Sequence, residues 1–278
     1  MRNMLIARVR SLLRQNELIE FAIRHELRAL TAEMRQKTPD NPALNGFKVY
    51  SQFDEDGVLE NIFNRIGGCS TFTEIGCGNG LENNSHYLLL KGWTGKWIDA
   101  DTANIRLIKR NLPASSKLCV IQAFIDADNV SGLVGDPDLL SIDMGGNELH
   151  VWKSVKARPK VLCVEYNGKF PPPTVLNIAY RKNNVWGQND YHGASLQAWV
   201  NELRDYTLVA CNLSGANAFF VRNDLMSNFT RYPVADLYQP LRLHLIPMRG
   251  SHPASFGFLR DALLERNEAH SSLIAATT

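Results

Sequence analysis

Phe72-Thr73-Glu74-Ile75-Gly76-Cys77-Gly78-Asn79-Gly80 sets an apolar, strand-like run directly before three alternating glycines. Glycines at such a turn let the backbone bend tightly and let a ligand approach the main chain. In open α/β sheets the carboxyl end of a parallel strand is where ligands bind. The spacing then narrows the choice. Diphosphate-binding turns use GxGxxG, whereas Leu81 stands where the third glycine of that pattern belongs, so a helix-capped diphosphate is not expected.

Outward from this turn the chain alternates. A helix is expected over Asp56 to Ile66, then the strand Phe72 to Ile75, a helix from Asn84 to Lys91, a strand at Lys96 to Asp99 and a helix at Ala103 to Asn111. Strands at Leu118 to Phe124 and Leu139 to Asp143, a short helix at Leu149 to Val155 and a strand at Val161 to Glu165 follow. Strands separated by helices read as βαβ units and hence as a mainly parallel sheet covered on both faces. After a helix at Ala194 to Leu203, the strands Thr207 to Cys211 and Asn217 to Arg222 are joined too closely for a parallel crossover, so they pair antiparallel. A parallel sheet ending in a hairpin points away from the dinucleotide dehydrogenases. Beyond Asp224 the sequence shows only Pro-punctuated chain and a helix near Phe258 to Ala269.

With 278 residues, 45% of them hydrophobic, the chain has ample material for a buried core. Its net charge of +2 is unevenly spread. Residues 1 to 37 carry +4, leaving 22 basic and 24 acidic residues in the remainder. That −2 body lacks the basic stripe of a nucleic-acid binder, so no nucleic-acid partner is expected. In the first segment Leu5, Val9, Leu12, Ile19, Ile23, Leu27, Leu30 and Met34 recur at steps of three and four, with Asn16 the one polar interruption. This predicts one or two amphipathic helices ending before Pro39-Asp40-Asn41-Pro42. Residues 1–45 are read as a helical extension serving packing, homo-oligomerisation or recruitment. Its arginines also permit peripheral contact with a membrane. Residues 46–278 form the main domain. Five cysteines with no CxxC pair, and no apolar stretch of about 20 residues, suggest a reducing, cytoplasmic setting, with the inner face of a membrane open to the helical arm.

Glu74, placed at the pocket rim in this reading, would repel a diphosphate and suit the ammonium and sulfonium charges of S-adenosyl-L-methionine. Asp99 ends the second strand nineteen residues after Gly80, where such folds place an acid to accept ribose hydroxyls. The alternative is a plain tight turn with Asp99 capping the next helix.

The segments "YSQFDEDGVLENIF", "FTEIGCGNGLENNSHYLLLKGWTGKWIDAD", "DLLSIDMGGNELHVWK", "VLCVEYN" and "YTLVACNLSGANAFFVRND", within Tyr50 to Asp224, resemble the FkbM-type branch of class I S-adenosylmethionine-dependent methyltransferases. The resemblance implies a Rossmann-like, seven-stranded α/β sheet with the last strand reversed, and O-methylation of bacterial saccharides in polysaccharide, lipopolysaccharide or natural-product chemistry. It implies cofactor contacts by Glu74, Gly76, Gly78 and Asp99, with Gln52 and Asn84 near the same pocket and Ala123, Phe124 and Asp126 at the adenine edge. The family often carries an acid where Gly145 stands here.

Methyl transfer to a hydroxyl needs alignment and removal of a proton. Asp143 and Glu165 end the fourth and fifth strands. They could orient the acceptor, serve as base, or share a divalent cation with Asn167, although a helix cap or a strand-end ion pair would also explain them. His192 stands before a helix as a neutral base candidate, or as a structural loop residue. The acceptor loop 166–192 carries Tyr166, Phe170, Tyr180, Trp186 and Tyr191 among amides and the Arg181-Lys182 pair. Aromatic faces and amides suit a polyhydroxyl ligand, and the two cations suit an anionic group, unless the aromatics merely pack a lid. The expected activity is therefore O-methylation of a saccharide hydroxyl. A small natural product or an N-acceptor, and a cofactor-binding scaffold without catalysis, are the alternatives.

Overall fold

A computed structural model describes residues 2–246 and 253–264. Five parallel strands carry the αβ alternation: β1 (Thr71–Ile75), β2 (Thr94–Asp99), β3 (Leu118–Gln122), β4 (Leu139–Ile142) and β5 (Val161–Glu165). The hairpin of β6 (Tyr206–Cys211) and β7 (Asn217–Arg222) completes the sheet in the order β3-β2-β1-β4-β5-β7-β6, with β7 antiparallel to both neighbours. This is the seven-stranded α/β sheet with its last strand reversed that the sequence resemblance implies.

Strand alternation divides the core into two layers. Val161, Cys163, Phe219 and Val221 face one side, with α2 (Glu55–Ile66), α3 (His86–Leu90) and α4 (Thr102–Asn111). Leu162, Val164, Ala218 and Phe220 face the other, with α5 (Val130–Val134), α6 (Glu148–Trp152), α7 (Leu196–Glu202) and α8 (Val234–Leu237). Covering both faces explains why β4 and β5 read as continuous apolar runs. The five-residue α5 escapes sequence reading, because one and a half turns carry too little periodicity.

The amphipathic segment is a single helix, α1 (Arg2–Lys37). Ile23, Leu27, Leu30 and Met34 seat it on the first layer, with Met34 5% exposed. Asn41 then caps the 3-10 turn Pro42–Asn45 by accepting the Ala43 N–H. Near the other end, residues 257–264 are helical. The rest of the expected Phe258 to Ala269 helix lies outside the described residues.

Candidate active site

The glycine turn is a point of close backbone approach. Gly76 has φ +81, and a Cβ there would lie 1.5 Å from the Asp143 carbonyl oxygen, so no side chain fits between the ends of β1 and β4. Gly78 has φ +57 and open space beside it. Its N–H donates to Asp99 Oδ2 at 2.8 Å, while Asp99 Oδ1 accepts from the Asp101 N–H and Asn104 Nδ2. Asp99 thus ties β2 to the turn. A cleft of about 290 Å³ opens here, lined by Gly76, Asp99, Phe124, Asp143 and Gly145 among others. Of the expected cofactor contacts Gly76, Asp99 and Phe124 line it, and Phe124 exposes 41% of its surface.

Five expected contacts do not line this cleft, Gly78 and four others. Glu74 shares its face of β1 with Phe72, so it points into the first core layer and not to the rim. There it accepts from Asn83 Nδ2 at 2.9 Å, the Asn84 N–H at 2.8 Å, the Ser85 N–H at 3.0 Å and the Ser85 hydroxyl, which in turn accepts from Trp97 Nε1. Burial raises its carboxyl to about 7 despite these donors. Asn84 is buried with it, its amide donating to Ser141 Oγ and reaching Cys163 Sγ. Gln52 is exposed, its carbonyl accepting from Lys48 Nζ. Asp126 closes its own turn by accepting from the Asp128 and Asn129 N–H groups, and it pairs with Lys182 of the 166–192 loop at 3.5 Å. Its burial raises the carboxyl, but those N–H donors and Lys182 outweigh it and leave the group below its ordinary value.

Asp143 and Glu165 do converge, because the ends of neighbouring parallel strands reach one sheet edge. They are joined by Glu148, which is not among the residues expected from the sequence. Asp143, Glu148 and Glu165 each bring a carboxylate oxygen within 4.8 Å of the others. Glu148 is fully buried at the start of α6. One of its oxygens accepts from the Met144 N–H at 3.0 Å and the Gly146 N–H at 2.6 Å, while its second has no partner. One oxygen of Glu165 is likewise buried and unpartnered. The Asp143 residue is open to the cleft, yet the protein packed around its carboxyl raises its pKa, and the Glu148 charge adds to this. Burial and then the Asp143 charge push Glu165 well above the ordinary range. Three acids with no basic group among them hold a shared proton or invite a cation. An acid at the start of a predicted helix, just after the Gly145-Gly146 turn, is the signal that could have found Glu148.

Asn167 is not among them. Its amide donates to the carbonyls of Asp190 and His192, and its oxygen accepts the Lys169 N–H, so it holds the two ends of the loop together. His192 lines a separate pocket of about 150 Å³ with Phe170 and Tyr191. Burial lowers its pKa, keeping the ring neutral, and Trp186 stands edge-on to it at 6.0 Å. The neighbouring residue comes closer to the acids: a Cβ on Gly193 would lie 3.6 Å from Glu148 Oε2.

The loop itself crosses the cleft mouth. Lys182 pairs with Asp128 at 2.7 Å, Asn147 Nδ2 donates to the Arg181 carbonyl, and Asn184 Nδ2 donates to the Gly145 carbonyl. Gly145, where the resemblance leads one to look for an acid, has φ +74, and Trp186 packs over it 3.4 Å from where a Cβ would stand. Tyr180, Trp186 and Tyr191 remain 39%, 51% and 56% exposed, so they are not simply packing a lid.

No family model and no curated protein matches the sequence. Among solved structures, the chain is similar to a Staphylococcus aureus protein assigned as a caffeoyl-CoA O-methyltransferase, with 13% identity, TM-score 0.42, and coverage of 60% of this chain and 81% of the other. It is similar to CalS10, an amino pentose methyltransferase of calicheamicin biosynthesis from Micromonospora echinaspora, with 12% identity, TM-score 0.40, and coverage of 63% and 92%. A third similarity is to WbdD, with 17% identity and TM-score 0.37, over 65% of this chain and 41% of WbdD.

Proposed function

We propose that this chain is an S-adenosyl-L-methionine-dependent O-methyltransferase acting on a saccharide hydroxyl. The observation that carries the reading is one cleft at the carboxyl edge of the sheet, lined by Gly76, Asp99 and Asp143, with buried carboxylate oxygens of Glu148 and Glu165 behind Asp143. The open side of Gly78 leaves room for a ligand against the main chain, and Asp99 is placed to accept from ribose hydroxyls. Phe124 offers its exposed face to an adenine. The cofactor, when bound, supplies an electrophilic methyl group and a sulfonium charge. Carboxylates around the cleft suit that charge, and a diphosphate would be repelled.

The acceptor enters beneath the 166–192 loop, where exposed Tyr180, Trp186 and Tyr191 give flat faces for sugar rings and Lys182 and Arg181 suit an anionic substituent. The hydroxyl proton passes to an oxygen of the Asp143–Glu165 pair, whose raised pKa makes it a competent acceptor near neutrality. Glu148 keeps its neighbours' protons shared, and the N–H groups of Met144 and Gly146 fix its position. A divalent cation held by Asp143, Glu148 and Glu165 is a second reading, favoured by the unpartnered oxygens of Glu148 and Glu165.

Radiolabelled methyl transfer across a panel of neutral and uronic-acid glycans tests the reading. Label appearing in a sugar supports it, and undiminished transfer in excess EDTA removes the cation. Cofactor binding without transfer to any glycan, small-molecule or amine acceptor would leave a scaffold.

A further inference from the structure

The second half of α1 docks on the body, and the described side chains just before it do not. Glu17 through Ala22 are exposed, Ile19 by 57%, and among the described side chains contact with the body begins at Ile23. The turns from Arg2 to Ala22 span about 31 Å at 1.5 Å per residue. By spacing, Leu5, Val9, Leu12, Asn16, Ile19 and Ile23 repeat in steps of four and three, a 3.5-residue heptad seam. Beyond Ile23 the step to Leu27 is again four, a break in the heptad. That break coincides with the point where the stripe turns onto the body. By sequence spacing the seam thus leads into the stripe that seats the helix on the body.

Charge selects what covers it. Residues 2–14 carry Arg2, Arg8, Arg10 and Arg14 with no acid, and residues 15–23 carry Glu17 and Glu20 with no base. A second α1 lying antiparallel sets residues 5–13 of each copy, with Arg8 and Arg10 (+2), against residues 15–23 of the other, with Glu17 and Glu20 (−2). A parallel copy would set +4 against +4, and its own continuation would run into the body that Ile23, Leu27, Leu30 and Met34 bind. We propose that two copies of this chain pair through an antiparallel coiled coil of residues 5–23. Leu5 then lies against the partner's Ile23, Val9 against the partner's Ile19, and Leu12 against the partner's Asn16. Sliding by one heptad would bring either Arg2 or Glu26 into the seam, which fixes the register. In that register the first turn of each helix arrives at an apolar groove of about 460 Å³ between α1 and the body, lined by Ile23, Leu27, Leu44, Phe47, Phe53 and Leu245.

Sedimentation equilibrium of the full chain is expected to give twice the chain mass, with dissociation strengthened at least 100-fold by Ile19→Glu and circular dichroism of the body unchanged. In a Cys69→Ser/Cys119→Ser background, Leu13→Cys flanks the dyad and is expected to form an oxidised dimer. Leu5→Cys should not, since its two copies lie about 27 Å apart. A monomer at micromolar concentration, oxidised dimer through Leu5→Cys instead, or a monomer that sediments only with anionic vesicles would each overturn the proposal.

Discussion

Replacing Glu74 by Gln tests how the glycine turn is held. The carboxyl lies at about 7 against its ordinary 4.5, because burial outweighs four hydrogen-bond donors. Between those two pH values the folded chain holds a proton that the unfolded chain has released, so stability falls as pH rises. The stabilisation present below 4.5 is gone above 7, a loss of about 3 kcal/mol at about 1.4 kcal/mol per pH unit. Gln carries no such proton. Its amide nitrogen must face at least one donor, the Asn84 N–H or the Asn83 and Ser85 group, costing about 1–3 kcal/mol at pH 5. The wild type is therefore expected to be more stable at pH 5, with the two converging by pH 8. Urea unfolding followed by tryptophan fluorescence at four pH values measures both curves. Other buried acids titrate in both proteins, so the difference between them isolates Glu74. Parallel curves, with the same gap at pH 5 and pH 8, would refute the reasoning.

Asp99→Ala removes the acceptor for Gly78, Asp101 and Asn104 and is expected to weaken S-adenosylhomocysteine binding at least about tenfold by calorimetry. Gly76→Ala places a methyl group on the Asp143 backbone, and a loss of about 4 kcal/mol or more in urea unfolding is expected. Glu165→Gln should lower kcat at least about 100-fold with cofactor affinity retained. Its melting temperature at pH 8 should not fall, because one of three crowded charges is gone. Since the acids' pKa values are raised, the wild-type rate should climb with pH through the range where the Asp143–Glu165 pair loses its shared proton, and a flat profile would count against that pair as base. Lys182→Ala, which breaks the pairs of an exposed lysine with buried Asp126 and exposed Asp128, should change stability by less than about 1 kcal/mol.

What the sequence reveals follows the reach of its periodicities. Strand ends are legible: Asp143 and Glu165 follow apolar runs of neighbouring parallel strands, so both must arrive at one edge. Glycine turns are legible for the same reason, since positive φ leaves a residue-type signature. Glu74 shows where a rule is present and left unused. The alternation that places Phe72 in the core puts Glu74 on the same face, so a rim position was never open to it. Glu148 and Asn167 show a different boundary. Glu148 returns to the strand ends only because the Gly145-Gly146 turn folds back, and Asn167 turns away because its amide finds the carbonyls of Asp190 and His192 across some two dozen residues. At greater range still, Glu55 accepts from the amides of Asn212 and Asn217, fastening the start of α2 to the hairpin turn beside the acids. That contact spans more than 150 positions, and no local period encodes it. The acids of the site are therefore readable one strand end at a time. Their grouping is set by turns and amides, whose partners only the folded chain selects.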